Sequence, residues 1–127
     1  MPDSFDVYFR SGVCDIDAAA RALSGYRLAV ARHGDRLAVS RPGSPAFRIL
    51  LSKEAWVRLE AIEIGEGTPH AARMQECDAR FEVSFDSLDE VLQEYTTLQM
   101  IEEALQEVSR GFLFLGWNGY LLAPERE

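Results

Sequence analysis

Three soft metal-ligating side chains occur at helical spacing in the middle of the chain. His70, Met74 and Cys77 are separated by four and three residues, so a helix would bring them to one face. Soft ligands of this kind suit copper(I). The spacing matches no zinc or copper motif, and Met and Cys at helical intervals are more typical of a packed core. The sequence therefore predicts core packing for this set, with no metal site and no cofactor.

The sequence contains none of the common catalytic motifs. Nucleophilic catalysis requires Ser or Cys beside a positioned base, and no GxSxG, HExxH, P-loop or GxGxxG pattern occurs. His33 precedes Gly34 at a predicted hairpin tip, where His is explained as a turn residue that tolerates positive φ. We therefore predict no catalytic residue, and the sequence favours a non-enzymatic protein.

Negative charge is concentrated in the second half of the chain. Residues 1–52 carry seven Arg and five Asp, a net charge of +2, whereas residues 53–127 carry six basic and sixteen acidic side chains, a net charge of −10. An acidic surface repels phosphate, which disfavours nucleic-acid binding and favours a basic protein partner. Toxin-neutralising immunity proteins are one class that fits this size and charge.

Four carboxylates on a predicted long helix are the candidates for partner binding. Their spacing places like charges four residues apart, which costs a few tenths of a kcal/mol per pair and would be relieved by a basic partner. These residues are Glu90, Glu94, Glu103 and Glu107.

A small-molecule-binding module is the alternative function. It would need an apolar pocket between two structural units at the two ends of the chain, and aromatic side chains are available to line it. The candidates are Phe9, Tyr26, Tyr95, Phe112 and Trp117.

A strand and a long helix are predicted in the C-terminal part. Alternation of apolar and polar residues from Phe81 indicates a strand. The sequence Ser87-Leu88-Asp89-Glu90 is a capping box, and apolar residues at steps of three or four then predict a helix from Leu88 to Arg110. Two β-branched residues, Thr96 and Thr97, mark a possible kink, and Gly111 is expected to take the left-handed cap.

Two matching units are predicted at the two ends of the chain. Residues 5–10 resemble the strand at 81–86, and each is followed by a helix and a hairpin. The hairpin turns are expected at His33-Gly34, pairing Val30 with Leu37, and at Asn118-Gly119. We interpret the units as two βαββ-like modules, residues 5–40 and 79–123, and an internal repeat as a hypothesis.

The segment 41–78 connects these units. It is predicted to hold an extra strand at 47–51, a helix at 53–64 capped by Ser52, and a short helix that ends near Cys77. Ala55, Leu59 and Ile62 are expected to face inward. The whole chain is predicted to be one α+β domain, 1–127, with a mostly antiparallel sheet and helices packed on one side.

The C-terminal hairpin is apolar on both faces. Phe112 and Phe114 point one way, and Leu113, Leu115 and Trp117 point the other, so both faces require cover. The long helix can cover one face. An extra layer, a ligand or a second subunit must cover the other, and the last option would make a homodimer.

Compartment is predicted from what the sequence lacks. It contains neither an apolar run of about 18 residues nor the pattern of a signal peptide, so no membrane association is expected. Cys14 and Cys77 do not form a CxxC pair and are expected to be reduced. A cytoplasmic location is the prediction.

Overall fold

The computed structural model describes residues 3–124 of the chain. Within these residues the strands are β1 Asp3–Phe9, β2 Ala29–His33, β3 Arg36–Ser40, β4 Phe47–Ser52, β5 Ala79–Phe85, β6 Phe112–Leu115 and β7 Leu121–Leu122. The helices are α1 Ile16–Gly25, α2 Ala55–Gly65, α3 Ala71–Met74, α4 Leu88–Gln93 and α5 Tyr95–Ser109. The strands form one antiparallel sheet in the order β2-β3-β4-β5-β1-β6-β7. The predicted α+β class is confirmed.

The two strands predicted from alternating residues are neighbours at the centre of the sheet. β1 pairs antiparallel with β5, with Val7 opposite Phe81. Both strands place every second, apolar side chain on one face, which we call the inner face. Phe5, Val7, Phe81 and Val83 are all fully buried there. The prediction that these strands share one layer is confirmed.

Helices α1, α4 and α5 cover the inner face. The carboxylate of Asp15 accepts a hydrogen bond from the backbone N–H of Ala18 and so begins α1. Ser87 begins α4 in the same way, as the capping box predicts. The buried side chains of α1 and α5 join the strands in one core, and they are Ile16, Ala19, Leu23, Leu98, Ile101, Ala104 and Leu105.

The predicted long helix is interrupted at Glu94, just before the expected kink. Glu94 has φ −111° and ψ 67°, and its side chain accepts a hydrogen bond from the backbone N–H of Thr97. Its carboxylate therefore caps a new helix, and α4 and α5 are separate elements.

The left-handed residue at the end of α5 is Arg110, with φ 56°, and not Gly111 as predicted. Gly111 is required for another reason. A Cβ atom built at this position would lie 2.5 Å from the carbonyl oxygen of Tyr8 and 2.8 Å from Cγ1 of Val7. The glycine therefore lets the chain leave α5 in contact with β1.

Both predicted hairpins form, with different turns. The first loop is Gly34-Asp35, so Val30 pairs with Val39 and not with Leu37. Gly34 has φ +62° at the first loop position, where a type II′ turn requires glycine. In the second hairpin Leu115 pairs with Tyr120 around a four-residue loop, 116–119. There only Gly119 has positive φ, so the predicted two-residue turn is wrong.

Helices α2 and α3 cover the opposite, outer face. The prediction of helices on one side is therefore correct for α1, α4 and α5 only. α2 buries Val57, Ala61 and Gly65, and the predicted inward face of Ala55, Leu59 and Ile62 is exposed. Ser52 lies at the end of β4, and the N-cap residue of α2 is Glu54.

Close packing between α2 and α3 accounts for the buried side of α2. A Cβ atom at Gly65 would lie 2.6 Å from Cβ of Met74. The outer core is small and consists of Tyr8, Val57, Ala61, Met74, Cys77 and Phe112, with Phe114 packed against it. The C-terminal hairpin was predicted to need an extra layer, a ligand or a second subunit on one face. Helices α2 and α3 provide the extra layer.

The two predicted units interlock in the sheet. β1 lies between β5 and β6, so the first strand of one unit is hydrogen-bonded on both sides to strands of the other. β4, from the connecting segment, pairs with the outer edge of β5, just as β6 pairs with the outer edge of β1.

Within residues 3–124 no helix has the length and apolar character needed to cross a bilayer.

Candidate functional site

A polar band crosses the outer face of the two central strands. On β1, Asp6 and Tyr8 point to this face, and on β5 it is occupied by Arg80 and Glu82. Tyr8 lies opposite Arg80, and Asp6 lies opposite Glu82. α2 packs above these residues and contributes Glu60. We call Asp6, Tyr8, Glu60, Arg80 and Glu82 the Arg80 cluster.

Arg80 is the centre of this cluster. Its Nη1 atom lies 2.5 Å from a carboxylate oxygen of Glu60 and 3.1 Å from the hydroxyl of Tyr8. Its Nη2 atom lies 2.8 Å from a carboxylate oxygen of Glu82. The Tyr8 hydroxyl in turn donates to Glu60. Since Glu60 belongs to α2, these bonds fasten that helix to β1 and β5.

Asp6 is the least compensated member of the cluster. Its Oδ1 atom is 3.6 Å from Nη1 of Arg80 and has no hydrogen-bond partner among the described residues. Only 8% of Asp6 is exposed. Burial raises the pKa of Asp6 from 3.8 to about 7, although Arg80 opposes the shift. The Nε atom of Arg80 is likewise buried without a partner in residues 3–124.

A carboxyl group with a pKa near 7, a tyrosine and a guanidinium could together perform acid–base chemistry. Such chemistry requires a substrate next to the carboxyl group. Neither of the two grooves described below is lined by Asp6 or Arg80, and the ring of Trp56 lies over the guanidinium at 4.5 Å. We therefore interpret the Arg80 cluster as a structural cluster that attaches α2 to the sheet.

The predicted partner-binding carboxylates lie on α4 and α5. Glu90 and Glu103 are exposed. Glu94 caps α5 and pairs with Arg41 at 3.0 Å, and Glu107 accepts from the Tyr26 hydroxyl. Hydrogen bonds from Thr97 and Arg41 lower the pKa of Glu94. Two of the four candidates are therefore engaged within the chain.

Sequence reasoning missed Glu102 on the same surface. Its carboxyl group is half-buried beside Glu103, and burial together with this neighbour raises the pKa of Glu102 to about 7. Residues 88–109 contain six carboxylates and neither Lys nor Arg. We call their exposed side the acidic surface.

The five predicted aromatic ligand-binding residues do not line one cavity. Phe9 and Phe112 share a groove, and Tyr26 contacts Glu107 on the rim of that groove. Tyr95 is 50% exposed at the start of α5. Trp117 packs edge-on against Phe5 and Phe85 in the inner core, with ring centroids 6.5 and 6.0 Å away.

This groove lies where β1, α3 and α5 end together. It has a volume of about 510 Å³ and is open to solvent. Its floor is aromatic, and the guanidinium of Arg73 lies 4.7 Å from the ring centroid of Phe112. The charged side chains that line it are Arg10, Arg73, Glu76, Glu107 and Arg110.

The residues considered as metal ligands pack in or against the outer core. Met74 and Cys77 lie in the outer core, 0% and 4% exposed, and His70 packs against the ring of Phe112 at 5.3 Å. Burial raises the pKa of the Cys77 thiol to about 11, which keeps it protonated. In residues 3–124 no three His, Cys, Asp or Glu side chains are grouped to hold a metal ion.

His33 lies at the opposite end of the sheet. It lines a shallow groove of about 250 Å³ over β3 and β4, together with Arg36, Arg48 and Glu82. The carboxylate of Glu82 is already paired with Arg80.

Comparison with known proteins gives no significant match to a protein family, a curated protein or a solved structure.

Proposed function

We propose that this chain is a non-enzymatic binding protein whose acidic surface on α4 and α5 docks a basic protein partner. One observation carries the proposal: residues 88–109 present six carboxylates and neither Lys nor Arg. Side chains of one sign on a single surface steer an oppositely charged partner and reject one of like charge.

The arrangement of these carboxylates supports a partner more than simple solvation. Glu102 is half-buried next to Glu103, and its raised pKa reports an environment unfavourable to its charge. A cationic side chain placed between Glu102 and Glu103 would reverse this shift. A toxin-neutralising immunity protein is one kind of binder with this size and charge, and its partner would be a basic toxin.

Affinity capture at two ionic strengths tests the proposal. The immobilised chain is exposed to a lysate of its source organism at about 50 mM and about 500 mM salt. We expect it to retain a basic protein at low salt and to release it at high salt. A Glu90→Gln/Glu102→Gln/Glu103→Gln variant should lose this protein.

A matched variant controls for net charge. Asp35, Glu54 and Glu66 are exposed acids away from α4 and α5, and their replacement by Asn, Gln and Gln, which removes the same three charges, should leave capture almost unchanged. Capture that resists salt, or equal loss in both variants, would contradict docking on the acidic surface.

Small-ligand binding is a second candidate function, favoured by the groove that Phe9 and Phe112 share. Its volume of about 510 Å³ lies within the range of small-molecule sites. Three arginines beside an aromatic floor suit a small aromatic carboxylate. A thermal-shift screen of such compounds should raise the melting temperature, and Arg110→Gln should reduce that shift. No shift across the screen would remove this candidate.

A further inference from the structure

Three large apolar side chains form a row on the outward side of α2. Trp56, Leu59 and Ile62 are 44%, 68% and 36% exposed. Their spacing of three residues places them on one side of the helix, opposite the buried Val57 and Ala61. We call Trp56, Leu59 and Ile62 the α2 ridge. Neighbouring exposed apolar side chains are characteristic of interaction surfaces.

One member of the ridge, Trp56, packs against the Arg80 cluster. The guanidinium of Arg80 lies 4.5 Å from the Trp56 ring, and Arg80 is itself fixed by Glu60 and Glu82. A pre-ordered side chain loses little conformational entropy on binding. Tryptophan in such a position is a frequent source of binding energy in interfaces.

The electrostatics of the ridge differ between its two ends. The first end has Lys53 and Glu54 beside the N-terminus of α2, where the helix dipole is positive, and the second end has the exposed Glu63 and Glu66, a net charge of −2. The acids at the second end lie beside the C-terminus of α2, where the helix dipole disfavours them. A basic partner would match only one end.

We propose that the α2 ridge binds the α2 ridge of a second copy of this chain, with the two helices antiparallel about a two-fold axis near Leu59. Trp56 and Ile62 lie three residues on either side of Leu59, so in this arrangement Trp56 of each copy approaches Ile62 of the other. The positive end of each helix then meets the acidic end of its neighbour, with Lys53 close to Glu63. A self-complementary surface of this kind is what a two-fold interface requires.

This interface and the proposed partner surface lie on opposite faces of the sheet. The ridge belongs to the outer layer, and α4 and α5 belong to the inner layer. Dimerisation and capture of a basic protein are therefore independent, and either can fail without the other.

Sedimentation equilibrium of the full chain tests the dimer. We expect a reversible monomer–dimer equilibrium in the micromolar range. Leu59→Glu should make the chain monomeric, while its circular dichroism and melting temperature stay unchanged because Leu59 contacts solvent. Leu92→Glu is the control, since Leu92 is 43% exposed on α4, and this variant should dimerise like the wild type.

Charge exchange tests the antiparallel arrangement. Lys53→Glu and Glu63→Lys should each weaken the dimer about tenfold, and the double variant should restore it because the pair is re-formed with its signs reversed. A wild-type chain that is monomeric at about 1 mM overturns the proposal. A dimer that is unaffected by Leu59→Glu also overturns it. The same holds if the Lys53→Glu/Glu63→Lys double variant dimerises as weakly as the two single effects predict when they are added.

Discussion

Asp6 offers the most direct test of the Arg80 cluster through the pH dependence of stability. The pKa of Asp6 is about 7 in the folded protein, whereas the ordinary value of 3.8 applies to the unfolded chain. Between about pH 4 and pH 7 the folded chain therefore holds a proton that the unfolded chain has released. The stabilisation from this group is complete at low pH and is lost as the pH rises through 7. Asp6→Asn mimics the protonated carboxyl group at every pH.

The size of the effect follows from the same two values. Their difference corresponds to about 4 kcal/mol between the protonated and ionised forms. The pKa of about 7 already includes the attraction between Asp6 and Arg80, so the loss of that attraction in the variant adds no separate cost. We therefore expect Asp6→Asn to raise the free energy of unfolding by about 4 kcal/mol at about pH 8.5, and by only about 1 to 2 kcal/mol at about pH 5.

Urea denaturation, followed by the fluorescence of Trp56 and Trp117, measures these free energies. Asp86→Asn is the control, because Asp86 is exposed and pairs with Arg48 on the surface. An Asp6→Asn variant that is less stable than the wild type at about pH 8.5 would refute the reasoning. That result would mean that Asp6 is ionised in the folded protein and that its attraction to Arg80 exceeds the cost of burial.

Further substitutions test the remaining contacts. Gly111→Ala should cost about 2 kcal/mol or more in thermal unfolding, because the added methyl group meets the carbonyl of Tyr8 at 2.5 Å; Gly25→Ala, with open space around it, should have no such cost. Arg80→Ala should lower the free energy of unfolding in urea by about 3 to 5 kcal/mol, since it leaves three carboxylates facing one another. A loss below about 1 kcal/mol would show that these carboxylates rearrange or become protonated without Arg80. Glu94→Ala should cost about 1 kcal/mol through the lost cap of α5, and faster amide exchange should then be confined to the first turn of that helix.

The inner face was predictable because one pattern specifies it. Phe5, Val7 and Phe9 alternate with polar residues, and the buried positions of α1 recur at helical spacing. Strand and helix periods identify such faces without knowledge of their neighbours.

The orientation of α2 could not be obtained in this way. This helix is apolar on two sides, with Val57 and Ala61 on one and Leu59 and Ile62 on the other. The contact between Gly65 and Met74 decides between them, and no local pattern in the sequence contains that contact.

The Arg80 cluster was missed for a related reason. Asp6 and Arg80 occupy the polar positions of alternating strands, and such positions normally face water. They are buried because α2 covers the outer face and brings Glu60 from another part of the chain. A second helical layer, once predicted, would have indicated that charges on both central strands needed partners.

The interlocked order of strands constrains how the molecule is made. β1 is synthesised before the other six strands of this sheet, but both strands that bond to it, β5 and β6, lie at residues 79–85 and 112–115. Its backbone groups must therefore remain solvated, or held by a chaperone, until β5 and β6 have been synthesised. Residues 3–9 therefore lack both neighbouring strands while β2, β3 and β4 are already available, and the sheet is complete only after β6 has joined β1.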